Sequence, residues 1–137
     1  MPLFSFSGKR PDDLGVTDGS LKACPSTPNC VCSQAEPSDR EHYIEPLPRQ
    51  GSPADAIAAL RAIVSSMERS EINAATDTYL YAEFASKIMG FVDDIEFYAD
   101  PNAPVVHVRS AARLGKSDLG VNRKRVEAIR ARFTASA

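Results

Sequence analysis

The chain has 137 residues, of which 43% are hydrophobic and 25% are charged, and its net charge is only −2. This length suits a single domain, and this composition is that of a folded globular protein, which excludes a disordered or fibrous chain. No apolar stretch approaches the roughly 20 residues of a membrane span, and no signal peptide is visible at the N-terminus, so we expect a cytoplasmic protein.

The charge is distributed unevenly along the chain. Residues 36–100 carry thirteen acids and five bases, whereas residues 101–137 carry two acids and eight bases. A basic C-terminal part can attract phosphate or nucleic acid. Because nucleic-acid-binding domains usually carry a clear positive net charge, we instead expect the acidic and basic parts to pair with each other, and we expect no nucleic-acid partner.

Turn-forming residues dominate residues 1–41, which we predict to be an irregular N-terminal arm with a Cys- and Pro-rich loop. Residues 42–137 are predicted to form one α+β domain. Its first strand is expected at 42–47. A helix is expected at 53–69, because Ser52 suits the N-cap and Pro53 suits the first helical position.

Alternating apolar and polar residues then predict a series of strands, followed by a closing helix that Asp118 or Asn122 can cap. The expected strands are 71–76, 78–86, 92–98 and 105–111, and the expected helix is 121–133. The order β-α-β-β-β-β-α predicts a meandering antiparallel sheet with both helices on one face, as in TATA-binding-protein-like or helix-grip-like architectures.

The strand alternation also predicts a register. If Asp94 lies opposite Arg109, then Glu96 lies opposite His107, and all polar side chains of this hairpin share one face of the sheet. The preceding strand is expected to add Tyr79, Tyr81 and Glu83 to that face.

Two segments carry a family resemblance: residues 24–33 (CPSTPNCVCS), and residues 90–98 (GFVDDIEFY) followed by 108–125 (VRSAARLGKSDLGVNRKR). Together they resemble the bacterial and plant family known as domain of unknown function 1499, over about residues 14–132. The resemblance implies a shared fold and importance for the matched residues, but it implies no reaction. Cys32 stands where relatives more often have Ser, and Ala112 stands where a second Ser is common.

Three carboxylates, Asp93, Asp94 and Glu96, lie within four residues. Such a cluster can bind a hard cation or act as acid and base, or it can pair with nearby arginines. The arginines that follow can form an anion-binding cleft or brace the acidic strands. These arginines are Arg109, Arg113, Arg123 and Arg125.

The cysteines form a C-x5-C-x-C pattern, which lacks the spacing of a zinc site. Cys24 and Cys30 can form a disulfide or remain thiols. No metal site, cofactor motif or catalytic template is present, so no cofactor is expected.

Three functions remain open. The leading hypothesis is a non-enzymatic accessory domain that binds a small molecule or a protein partner at an Arg/Asp-rich polar site. The alternatives are an enzyme, hydrolase-like or other, with Asp94 and Glu96 as acid–base groups, and an assembly domain that docks through its basic C-terminal helix. The sequence leaves catalysis and oligomeric state undecided. The candidate ligand-binding residues are Asp94, Glu96, Arg109, Arg113, Asp118, Asn122 and Arg123.

Overall fold

A computed structural model describes residues 8–87 and 90–136; residues 1–7 of the predicted arm lie outside this range. The described chain contains six strands and two helices. They are β1 (Cys30–Cys32), β2 (Leu47–Pro48), α1 (Pro53–Ser65), β3 (Ser70–Ala75), β4 (Tyr79–Ala85), β5 (Val92–Ala99), β6 (Val105–Ala112) and α2 (Val121–Ala135).

All strands belong to one antiparallel sheet with the order β1-β6-β5-β4-β3, and β2 pairs with a separate part of β6. Both helices pack on the same side of this sheet and contact each other. The predicted α+β class with an antiparallel sheet is therefore confirmed. Neither described helix combines the length and hydropathy that crossing a bilayer requires.

The hydrophobic core lies between the helices and the sheet. Apolar residues at helical spacing on α1, such as Ile57 and Leu60, face alternate residues of β4, β5 and β6. Phe97 at the centre of β5 is completely buried. The opposite face of the sheet, which we call the polar face, carries the polar residues that alternate with the core residues along each strand.

The N-terminal part of the sheet differs from the prediction. Residues 42–46 form no strand apart from a bridge between Tyr43 and Cys32, and only Leu47 and Pro48 pair with β6. Pro46 and Pro48 explain this, because proline lacks the N–H that a ladder requires. The strand β1 instead lies within the predicted arm. It was not predicted, because turn-forming residues flank it on both sides.

The helix α1 begins as predicted and ends earlier. Ser52 accepts a hydrogen bond from the amide of Asp55, and Pro53 is the first helical residue. The helix ends at Ser65 rather than at residue 69, with Ser66 as its C-cap, and Arg69 then has a left-handed φ of 59° directly before β3. The hydroxyl of Ser70 donates to the carbonyls of Val64 and Met67, which satisfies part of the helix end.

The predicted register of the β5–β6 hairpin is wrong by two residues, although its two faces are right. Glu96 lies opposite Arg109, and Asp94 lies opposite Ala111 rather than Arg109. A shift of two residues preserves the alternation, so the hydrophobic pattern could not detect it. The longer β5–β6 connection, over residues 100–104, decides the pairing.

The N-terminal arm crosses the polar face of the sheet. The amide of Gly15 donates to Glu96 Oε2 at 2.7 Å, and Arg10 Nε donates to Glu83 Oε2 at 2.8 Å. The side-chain oxygen of Gln34 accepts from the amide of Leu21, and its Nε2 donates to the carbonyl of Gly19. The arm therefore covers part of the polar face, where Asp94, Glu96 and Arg109 are buried.

Candidate functional site

Arg113, which directly follows β6, is the most extensively bonded cation on the polar face. It donates to both oxygens of Asp94, from Nε at 2.9 Å and from Nη2 at 2.8 Å, and it also bonds to Glu83 and Tyr81. The hydrogen bond to Asp94 raises the pKa of Arg113, although burial opposes the rise. The Arg113 side chain is only 6% exposed, so this pair is largely shielded from solvent.

Tyr81 completes the surroundings of Asp94, because its hydroxyl donates to Oδ1 at 2.5 Å. Burial, followed by this hydrogen bond, raises the pKa of Tyr81. Both oxygens of Asp94 are thus occupied by donors. These bonds hold Asp94 and Arg113 in fixed orientations relative to each other.

Glu96 and Arg109 form a contrasting pair. Glu96 is completely buried, and its Oε2 accepts from the Tyr79 hydroxyl at 2.6 Å and from the amide of Gly15. Its Oε1 lies 4.0 Å from Arg109 Nη1, which exceeds a hydrogen-bond distance.

Arg109 is 3% exposed, its Nε is buried without a hydrogen-bond partner, and within residues 8–87 and 90–136 its one ion-pair contact is with Glu96. Buried polar groups are normally hydrogen-bonded. A buried guanidinium with only one distant carboxylate is consequently the main anomaly of the polar face.

Arg109 lines a cavity of about 300 Å³ between the arm and the polar face, which we call the arm cavity. Three other cations line it together with the buried carboxylate of Asp94, while the remaining walls are apolar. The lining residues are Lys9, Pro11, Lys22, Ala23, Cys24, Pro25, Asp94, Arg109, Ala111, Ala112 and Arg113. A buried, unsatisfied arginine in a cavity of this kind is suited to binding an anionic group.

A larger cavity, of about 880 Å³, lies on the helix side of the sheet, beside Phe84, Asp93, Asp118 and Arg125. Arg125 bonds to Asp93 at 2.8 Å and stacks over the Phe84 ring at 4.7 Å. Burial raises the pKa of Asp93, although Arg125 opposes this. Arg125 is therefore already paired with Asp93, and it is not an unpaired buried charge like Arg109.

The structure divides the predicted site residues between the two sides of the sheet. The polar face brings together Asp94, Glu96, Arg109 and Arg113, whereas the remaining three lie near the start of α2. Asp118 accepts from the backbone and side-chain amides of Asn122, and Asn122 accepts from Ser110 at 2.5 Å. These bonds connect Asp118, in the loop before α2, to Asn122 of α2 and Ser110 of β6.

Arg123 lies apart from the other predicted residues. Its guanidinium donates to the backbone carbonyls of Arg40 and Glu41. Arg130 of the same helix likewise donates to the carbonyls of Glu45 and Pro46. Much of the positive charge on α2 therefore holds neighbouring parts of the chain.

Cys24 and Cys30 form a disulfide, which ties the arm to β1 beside the cavity. Cys32 is a free, buried cysteine. Burial raises the pKa of the Cys32 thiol, so its reactive thiolate form is disfavoured.

Ligand atoms of Asp39, Glu41 and His42 lie within 4.8 Å of one another, as they would in a metal site. Both ring nitrogens of His42 are already engaged, however: Nε2 bonds to the Thr27 carbonyl and Nδ1 to Asp39, each at 2.8 Å. Two acceptors around one imidazole favour its cationic form, which has no lone pair for a metal. This cluster therefore stabilises the arm.

Ser33 and His107 form a second contact that the sequence did not suggest. Ser33 Oγ accepts from the amide of Val108 and lies 3.0 Å from His107 Nδ1. Ser33 is 6% exposed and does not line the arm cavity. The contact therefore joins the segment after β1 to β6 and does not resemble an accessible nucleophile.

Sequence reasoning also missed the arm's contribution to the cavity. Lys9, Lys22 and the Cys24 loop line it from positions remote in sequence. No spacing or motif links these residues to Arg109, which comes 87 positions after Lys22. The sequence of the arm is rich in small residues and prolines, but this composition does not identify which residues line a cavity.

Comparisons with known proteins add a family match. The family described as "Protein of unknown function (DUF1499)" matches residues 20–133, which include every candidate ligand-binding residue named from the sequence. The searches of curated proteins and of solved structures each found no match.

Proposed function

The chain belongs to DUF1499, a family of proteins of unknown function, and we propose that it is a binding domain for a small anionic molecule. The arm cavity is the binding site. Arg109 binds the anion directly, and Arg113 adds positive charge at the cavity wall. Asp94 orients Arg113, while Glu96 lies beside Arg109.

One observation carries this proposal. The guanidinium of Arg109 is buried and lines a cavity, yet among the residues that the structure describes its nearest charged partner is 4.0 Å away. Leaving a buried donor unsatisfied costs about 1–3 kcal/mol of folding free energy when the donor is neutral, and more when it is charged. An anion in the cavity would remove this cost, and the planar guanidinium can donate two parallel hydrogen bonds to it.

The test is a two-dimensional NMR titration of the whole chain with propionate, inorganic phosphate and sulfate at constant ionic strength. We expect at least one probe to saturate, with shifts concentrated at the amides of Ala23, Ala111 and Arg113. Arg109→Gln should weaken that binding at least tenfold, while Arg61→Gln, the same change at an exposed position of α1, should leave it unchanged.

Arg109→Lys retains the charge and loses the planar fork, so it should bind with intermediate affinity. This variant also keeps the test decisive if Arg109→Gln does not fold. Absence of saturable binding by all three probes would refute the proposal, as would wild-type affinity in a folded Arg109→Gln variant.

The Cys24–Cys30 disulfide supports a further proposal about location. Disulfides persist in oxidising compartments and are rare in the cytosol. The disulfide therefore favours an oxidising compartment over the cytoplasm expected from the sequence. Acid quenching of native cells, alkylation of the denatured protein without reductant and mass measurement test this: one alkylated cysteine supports it, and three alkylated cysteines contradict it.

A further inference from the structure

The charges around the arm cavity restrict the kind of anion that it can bind. Among residues 8–87 and 90–136, four bases and one acid line it: Lys9, Lys22, Arg109, Arg113 and Asp94. Their ion-pair partners are Asp13, Glu83 and Glu96, and Arg10 pairs in turn with Glu83, so this cluster contains five bases and four acids. The cluster has an excess of one positive charge, which matches a ligand with one negative charge.

A dianion would leave one negative charge unbalanced. Two of the acids, Asp94 and Glu96, are 2% and 0% exposed, so solvent screens them poorly. Asp94 itself lines the cavity, and it would repel a second negative charge on the ligand. Charge balance thus favours a carboxylate over a phosphate monoester.

The remaining cavity wall is apolar. It is formed by two prolines and three alanines, together with the Cys24 side of the disulfide; these residues are Pro11, Ala23, Pro25, Ala111 and Ala112. Their side chains offer no hydrogen-bond donors or acceptors. A ligand that uses this wall therefore has an apolar body beside its charged group.

The volume sets a third restriction. Ligand pockets range over about 300–1,000 Å³, and the arm cavity, at about 300 Å³, is at the small end. A cavity of this size suits a body of one ring or a short chain. A nucleotide or a long acyl chain would have to extend beyond it.

From these three restrictions we infer that the ligand is a small monocarboxylic acid with an apolar body. This inference rests on the proposed anion-binding function and specifies its ligand class. The carboxylate pairs with the fork of Arg109, and the apolar body lies against the prolines and alanines of the arm and β6.

Calorimetry and NMR titration at pH 7.5 with benzoate, benzamide, succinate and inorganic phosphate test the inference. We expect benzoate to bind at least tenfold more tightly than any of the other three. Benzamide has the same body without the charge, succinate has a second carboxylate, and phosphate lacks the apolar body.

Ala23→Leu adds bulk to the apolar wall at an exposed position of the arm, so it should weaken benzoate binding severalfold more than acetate binding. Ala54→Leu makes the same change at an exposed site on α1 and should have no effect on either ligand.

The outcomes separate the two proposals. If phosphate or succinate binds through Arg109 more tightly than benzoate, the monocarboxylate assignment is wrong and the anion site stands. If benzamide binds as tightly as benzoate, the charge is irrelevant, and both proposals fail. If no anion binds and the Arg109→Gln variant behaves as the wild type, both fail as well.

Discussion

Arg113 and Asp94 form a two-point ion pair beneath the N-terminal arm, with Nε bonded to Oδ2 and Nη2 bonded to Oδ1. Two parallel hydrogen bonds of this kind hold the planar guanidinium in one orientation. Arg109, two strand positions before Ala111, has no such partner within the described chain. The polar face thus places a satisfied arginine next to an unsatisfied one, and our proposal of a binding role for Arg109 rests on this difference.

We expect Asp94→Asn to lower the free energy of unfolding by about 1.5–3 kcal/mol, because it removes the charge that accepts two hydrogen bonds from Arg113, which then keeps Glu83 as its charged partner. Urea denaturation measures this loss. Asp77→Asn makes the same change at an exposed turn residue and should stay within about 0.5 kcal/mol. A loss below about 1 kcal/mol for Asp94→Asn would mean that solvent screens the pair as it screens a surface ion pair.

Loss of the Cys24–Cys30 disulfide should lower the free energy of unfolding by about 2 kcal/mol, since the closed loop is short. The double variant Cys24→Ser/Cys30→Ser and the reduced wild type should agree when their urea transitions are compared. Reductant should not change the double variant any further. If reductant destabilises the double variant too, the effect does not come from this disulfide.

The pKa values of His42 and His107 should be shifted in opposite directions from the ordinary value of histidine. The hydrogen bond to the Thr27 carbonyl, followed by the bond to Asp39, raises the pKa of His42 above its ordinary 6.5. Burial lowers the pKa of His107 below the same value. An NMR titration of the two rings measures both pKa values, and the order His107 below His42 is expected. The reverse order would contradict the described contacts.

The consequence for stability follows from the sign of each shift. The imidazolium of His42 stabilises the folded state fully below pH about 6.5, and this contribution disappears as the pH rises through its raised pKa. His42→Gln should therefore destabilise the protein more at pH 6 than at pH 9. For His107 the neutral form is favoured in the folded state, so its contribution is present above pH about 6.5 and is lost as the pH falls through its lowered pKa.

Asp39 sets the acid limit of the His42 contribution. The hydrogen bond from His42 lowers the pKa of Asp39 from its ordinary 3.8. Its contribution is present above that value and disappears as the pH falls through the lowered pKa. The Asp39–His42 pair therefore stabilises the arm most strongly between about pH 4 and 6.5.

The sequence by itself determined the local elements and the two faces of the sheet. The N-cap at Ser52, the alternation along β4 to β6 and the helical spacing in α2 are short-range patterns, and each matches the structure. Short-range patterns carry this information because pleat and helix periodicities are properties of neighbouring residues. The strand at Cys30–Cys32 was not predicted, because turn-forming residues flank it. The two-residue shift of the β5–β6 register was not predicted either, because both registers preserve the alternation of polar and apolar residues.

Only the tertiary structure decided which of the charged residues share a site. Asp94, Glu96, Arg109 and Arg113 meet on the polar face, while Asp118 and Asn122 belong to the helix side, although all lie within thirty residues. The arm folds over the polar face and adds Lys9 and Lys22 from far away in sequence. Burial and partner distances arise from that long-range packing, so the sequence could name Arg109 as a candidate, but only the fold could show that it is buried without a close partner.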